Sequence, residues 1–132
     1  MIISERNKSI PATGKILAVA SDPDITRILG VNLTHADFEF ISVKNGSEVV
    51  DIIIKENPDV IILNPPFSDI DVNTVYLRLQ SSSHASRIPV IVVTAVKSER
   101  IIHNPEAGGP IHYITKPFDP SELVSLVQTC LR

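Results

Sequence analysis

The chain alternates between apolar runs and stretches whose apolar residues recur at helical spacing. Ile16-Leu17-Ala18-Val19-Ala20, Asp59-Val60-Ile61-Ile62-Leu63 and Pro89-Val90-Ile91-Val92-Val93-Thr94 are apolar almost without interruption, the mark of strands covered on both faces. Phe38 to Val43 alternates in part, and Ile111 to Thr115 forms a fifth short run. Between them, Ile25, Ile28, Leu29 and Leu33 share one helical face, as do Val49, Ile52 and Ile53, then Val72, Val75, Tyr76 and Leu79, and finally Leu123, Leu126, Val127 and Cys130. Lys97 to Asn104 predicts a further short helix, cut off by Pro105. Strand followed by helix, five times over, predicts a parallel sheet with helices on both faces and right-handed crossovers.

The punctuation agrees. Asp22-Pro23-Asp24 and Asp119-Pro120-Ser121-Glu122 each offer a capping carboxylate, a proline suited to the first helical position and an acid near the positive end of the helix dipole. Asn45-Gly46-Ser47 reads as a turn and helix start, Asn57-Pro58 as a helix stop, and Gly108-Gly109-Pro110 as a turn. Gly30 costs its helix about 1 kcal/mol relative to alanine. Residues 1–14 show no clear period and read as a flexible N-terminal tail, leaving 15–132 as one domain.

Composition narrows the function classes. With 132 residues, 43% of them hydrophobic and 20% charged, the chain can bury a real core. A net charge of -3 without a dense Lys/Arg run argues against nucleic acid or an anionic membrane as partner. Cys130 is the single cysteine, so neither an internal disulfide nor a cysteine metal cage can form, which suits a reducing cytoplasm. There it reads as a small core hydrophobe. No apolar run reaches membrane-spanning length, and His35, His84, His103 and His112 lack metal-ligand spacing.

In an open parallel sheet, ligands bind at the carboxyl ends of the strands. Those ends gather Ala20, Ser21 and Asp22, then Asn64, then Thr94 and Ala95, then Lys116. Lys116 follows Tyr113-Ile114-Thr115 and is backed by Pro117, which has no N–H and stops the ladder. An ammonium and a hydroxyl are suited to hold a phosphoryl-like anion. The bland alternative is a surface lysine followed by a turn.

Three segments together resemble the receiver domain of bacterial two-component response regulators. They are Lys15-Ile16-Leu17-Ala18-Val19 with Asp22-Pro23-Asp24; Pro58-Asp59-Val60-Ile61-Ile62-Leu63; and Pro89 to Ala95 with Glu106-Ala107-Gly108 running on to Tyr113-Ile114-Thr115-Lys116-Pro117-Phe118. The resemblance spans Lys15 to Arg132. It implies a flavodoxin-like (βα)5 three-layer sandwich, with a five-stranded parallel sheet of order 2-1-3-4-5. It also implies an aspartate phosphoacceptor ending the third strand, an acidic pair ending the first that holds Mg²⁺, and a Thr or Ser with a Lys contacting the phosphoryl group. Thr94 and Lys116 match, and Thr94 with Tyr113 matches the family's switch pair. Asn64 stands at the acceptor position, and Ala20 and Ser21 stand at the acidic pair, leaving Asp22 as the nearest carboxylate.

These departures remove half of the chemistry. A neutral amide is a far poorer nucleophile than a carboxylate, and Mg²⁺ prefers carboxylates and water. Pro65 and Pro66 delete two N–H donors beside the site, and Ser68 stands where the family usually has proline. The resemblance therefore points to a degenerate pseudo-receiver, a non-enzymatic module without cofactor, in which Lys116 finds a structural partner such as the Asn64 carbonyl or the Asp22 carboxylate. Expected partners are a sensor kinase, an output domain or another signalling protein, with a homodimer left open. The alternative is a Mg²⁺-dependent phosphoacceptor using Asp22, Asp69 or Asp71 as a displaced carboxylate, with Asp22 as the candidate metal ligand. A flavodoxin-like small-molecule binder rests on fold analogy alone and lacks a glycine-rich loop.

Overall fold

A computed structural model describes residues 14–94 and 111–131. Its strands are β1 (Lys15–Ala20), β2 (Glu39–Val43), β3 (Val60–Asn64), β4 (Val90–Thr94) and β5 (Ile111–Thr115). Its helices are α1 (Pro23–His35), α2 (Val49–Glu56, led by a 3₁₀ turn over Gly46–Glu48), α3 (Val72–Ser81) and α4 (Pro120–Cys130). All pairings are parallel, in the order β2-β1-β3-β4-β5. Both the parallel sheet and its order agree with the sequence. The helix expected over 97–104 lies outside the described residues, as does nearly all of the expected tail.

The apolar runs explain the three layers. Successive side chains of a strand point to opposite faces, and each face carries its own core. Leu17, Val19, Ile61, Leu63, Val90 and Val92 pack with Val49 and Ile53 of α2 and Val75, Tyr76 and Leu79 of α3. Ile16, Ala18, Val60, Ile62, Ile91, Val93 and Ile114 pack with Leu29 and Leu33 of α1 and Leu123 and Val127 of α4. One expectation fails: Ile28, placed on the buried face of α1, is 40% exposed, because the helix seats Leu29 and Leu33 squarely and turns Ile28 to the rim.

Local stops act as the residue types suggest. Asn57 closes α2 in the left-handed region (φ 51°), which asparagine tolerates better than most residues, and donates its N–H to Ile53 O at 2.8 Å. At the amino-terminal end of the sheet, Lys15 Nζ lies 3.4 Å from Glu56 Oε1 and 3.6 Å from Glu39 Oε2. The Lys15 N–H donates to Asp59 Oδ2 at 2.8 Å. These contacts close the end opposite the candidate site.

Candidate functional site

The carboxyl ends of the strands bring the sequence-selected residues together. Ala20 and Asn64 are direct register partners across β1 and β3. Both follow the parity of Ile16, Ala18, Val60 and Ile62, the face toward α1 and α4. Asn64 is the last residue of β3 and 3% exposed; its Oδ1 is buried and accepts no hydrogen bond. Thr94, 2% exposed, ends β4, and its carbonyl accepts the Lys116 N–H at 2.8 Å. That bond carries the β4–β5 ladder one step past Thr115 and fixes where Lys116 leaves the sheet. The Lys116–Pro117 bond is cis.

Tyr113 is half-buried on β5 and packs against the α2–α3 core. Tyr76 of that core has its phenol pushed up, first by burial and then by the neighbouring Tyr113.

Lys116 does not find the structural partners expected for it. Asn64 Oδ1 is without a donor, and Asp22 is spent on its own helix, accepting the Asp24 N–H at 2.9 Å. The sequence argument supplied a plausible acceptor for the ammonium but could not fix the side-chain directions that would join them.

The carboxylates nearest the crevice share one use. Asp22 is the N-cap of α1. Asp71 is the N-cap of α3, accepting the Thr74 N–H at 2.7 Å, and hydrogen bonding by Thr74 holds its carboxyl below the usual value. Asp119 caps α4 through the Ser121 N–H at 2.9 Å, which likewise lowers its carboxyl. Asp69 reaches across to a different element. Its Oδ1 accepts the Gly46 N–H at 3.0 Å and its own neighbour Ile70 N–H at 2.9 Å, while Oδ2 accepts the Ser47 N–H at 3.0 Å. The Ser47 side chain and these N–H groups pull its carboxyl down from 3.8 to about 2.

Sequence reasoning missed this clasp. It took Asn45 as the opening of the second helix, but the Asn45 side chain makes no cap bond there. Asp69 supplies the anion from the next βα loop, and no local spacing announces a bond between two loops. Two more bonds lace the same edge: Ser21 Oγ donates to Lys44 O at 2.9 Å, and Ser68 Oγ donates to Asn45 Oδ1 at 3.1 Å. Gly46 is required in this arrangement. A Cβ there would stand 2.6 Å from Val75 Cγ2 and 2.9 Å from Ile70 Cγ1.

Mg²⁺, which the receiver resemblance implies, does not fit this donor set. Ala20 has no donor atom, the Ser21 hydroxyl is turned to Lys44 O, Asn64 is neutral, and Asp22 is a helix cap. Among the described residues no cluster of three or more His, Cys, Asp or Glu side chains could hold a metal ion. Among them also, no helix is long and apolar enough to cross a membrane.

Comparison with known proteins agrees with the geometry. The response regulator receiver domain family matches residues 16–128. The DNA-binding dual master transcriptional regulator RpaA of Synechocystis sp. is 29% identical over 118 residues, covering 89% of this chain and 49% of that protein. The ycf27 protein of Porphyra purpurea is 34% identical over 120 residues, covering 89% of this chain and 47% of the relative. Among solved structures, a response regulator from Chloroflexus aurantiacus superposes with a TM-score of 0.79 at 29% identity, covering 89% of this chain and 97% of the other. The chain spans about half the length of the curated relatives it matches.

Proposed function

The chain belongs to the response regulator receiver family, and we propose that within two-component signalling it is a pseudo-receiver: a protein–protein interaction module that accepts no phosphoryl group. One observation carries the reading. The acceptor position is the buried amide Asn64, and Asp22, Asp69 and Asp71, the carboxylates considered as displaced acceptors, each accept an N–H at a helix start. An amide cannot form an acyl phosphate without losing its own nitrogen. Asp69 accepts three N–H groups, and Asp22 and Asp71 one each; such bonds engage lone pairs and reduce the basicity of a carboxylate. Without phosphorylation, the Thr94–Tyr113 pair shifts only as far as a partner's differential affinity for its states drives it.

The partners in this reading are proteins: a sensor kinase, an output domain or another signalling protein. The matched relatives are about twice as long, which supports an output domain as one partner. The net charge of -3 and the absence of a Lys/Arg run keep nucleic acid away from this domain. A cytoplasmic setting goes with the same reading.

The test is intact mass after incubation with a small-molecule phosphodonor and Mg²⁺, on wild type, Asn64→Asp and the triple variant Ala20→Asp/Ser21→Asp/Asn64→Asp. Wild type should gain no adduct, and Asn64→Asp alone should gain little because the metal ligands are still missing. The triple variant should label. A stoichiometric adduct on wild type, mapped to Asp22, Asp69 or Asp71, would refute the proposal and establish a displaced acceptor.

A further inference from the structure

Asn45-Gly46 is the one Asn-Gly pair in the chain. Glycine leaves its backbone nitrogen sterically free to attack the asparagine side-chain carbonyl, so this dipeptide is chemically self-reactive. The other asparagines compete poorly. Asn57, Asn64 and Asn104 precede prolines, whose nitrogen has no hydrogen to lose, and Asn7, Asn32 and Asn73 precede Lys, Leu and Thr, which shield theirs.

We propose that Asn45 is a latent site of intramolecular deamidation, held shut by the Asp69 clasp. The attacking nitrogen must first lose its proton, and that proton is donated to Asp69 Oδ1 at 3.0 Å. The side chain that carries the electrophile is also restrained in orientation, since Asn45 Oδ1 accepts from Ser68 Oγ at 3.1 Å and must give up that bond to turn toward the Gly46 nitrogen. The Asn45 backbone is extended (φ -111°, ψ 137°), and Gly46 is buried against Val75 and Ile70 with no room for one more carbon.

When the clasp opens, the Gly46 nitrogen gives its proton to solvent base and forms a bond to Asn45 Cγ. The Cγ–Nδ2 bond breaks as the side-chain nitrogen takes a proton back from solvent and leaves as ammonia, giving a five-membered cyclic imide. Water then adds at either imide carbonyl and breaks that carbon's bond to the Gly46 nitrogen, yielding aspartate from attack at Cγ or isoaspartate from attack at the main-chain carbonyl. Water is the only co-reactant, and the net change replaces NH₂ by OH.

Either product would alter the edge of the candidate site. A second carboxylate would stand beside Asp69 at the same helix start, and like charges there repel. Isoaspartate also inserts a methylene into the backbone immediately before Gly46, whose position tolerates no displacement toward Val75. Modification would therefore unfasten the bonds that join the loops after β2 and β3.

The experiment incubates folded wild type, Ser68→Ala and Asp69→Ala at mildly alkaline pH, with wild type in urea as the unprotected reference. Peptide mapping reads aspartate and isoaspartate at position 45, and circular dichroism verifies the fold. Folded wild type should convert far more slowly than the urea reference. Ser68→Ala should convert severalfold faster than wild type. Asp69→Ala should convert roughly tenfold faster or more, since it removes a charge-assisted bond that opening must break. If Asp69→Ala does not fold, Ser68→Ala decides. Folded wild type converting as fast as in urea, no acceleration in any folded variant, or faster conversion at Asn32 or Asn73 would overturn the proposal.

Discussion

Replacing Asn64 should stabilise the protein. Its Oδ1 is buried without a donor in a residue 3% exposed, and burying an unsatisfied acceptor costs about 1–3 kcal/mol. Asn64→Val removes the acceptor, ends one atom short of the amide and places a β-branched side chain at a strand position that favours one. The added bulk at a packed site returns roughly 1 kcal/mol of that gain as strain. The net expectation is a gain of about 1 kcal/mol. Asn64→Ala, which cannot overpack, should be within about 1 kcal/mol of wild type. The assay is urea unfolding followed by circular dichroism, where a gain of that size at an m value of about 2 kcal/mol/M moves the midpoint up by roughly 0.5 M. The slope must stay constant for the comparison to stand. Loss of more than about 1 kcal/mol in both variants would refute the reasoning, because it would mean that the amide makes bonds worth more than its burial costs. A stabilised variant would also show that Asn64 is kept for something other than stability, as residues at functional sites often are.

Three further outcomes follow from named contacts. Gly46→Ala should cost about 1–3 kcal/mol by overpacking against Val75 and Ile70, and an unchanged thermal midpoint would show that the helix start can shift to accommodate a Cβ. Asp69 has a folded pKa of about 2, depressed from 3.8 chiefly by Ser47; its contribution is therefore complete above pH 4 and lost as pH falls toward 2, so NMR signals of the Gly46 and Ser47 amides should hold their positions down to pH 4 and shift below it. Cys130 has its thiol pushed up by burial, so native protein at neutral pH should alkylate more slowly than urea-unfolded protein, and equal rates would contradict its packing against the α1–α4 core.

The fold was legible because its signals are local and redundant. Runs such as Val60-Ile61-Ile62-Leu63 can be satisfied only between two apolar layers, and the structure buries all of them. Asp22-Pro23 and Asp119-Pro120 mark helix starts within two residues, and both carboxylates cap as expected. The candidate site was legible as a set of positions, since strand ends converge by topology whatever their side chains do. Its bonding was not. Whether Lys116 meets Asn64 depends on rotamers, and Asp69 capping the Gly46 turn depends on how two loops lie side by side. A carboxylate on a loop looks solvated in sequence, and only the neighbouring loop reveals that it is a cap. Ile28 shows the limit on helices: a stripe of four apolar residues is wider than the face the sheet can cover, and spacing alone does not say which member is left at the rim.

The departures at Ala20, Ser21 and Asn64 make physical sense as one change. Ala20 and Asn64 are register partners on adjacent strands, so carboxylates at the acidic pair and at the acceptor would stand within one strand spacing, about 5 Å, of one another. Such a group is tolerable only with a cation between its members, because like charges so close cannot all ionise. Once an amide replaces the acceptor, the metal has lost a ligand, and the remaining acids repel with nothing to hold them. Alanine and serine relieve that strain, and the serine gains a bond to Lys44 O. In the proposed reading Thr94 and Lys116 are under no such pressure, since neither adds a negative charge to the crevice. A single change at Asn64 would leave the acidic pair in place, whereas the combination at Ala20, Ser21 and Asn64 is the one that the proposed pseudo-receiver reading requires. The same logic predicts the order of repair: carboxylates at positions 20 and 21 must be restored before an aspartate at 64 can accept a phosphoryl group, and either restoration alone should lower stability while gaining no chemistry.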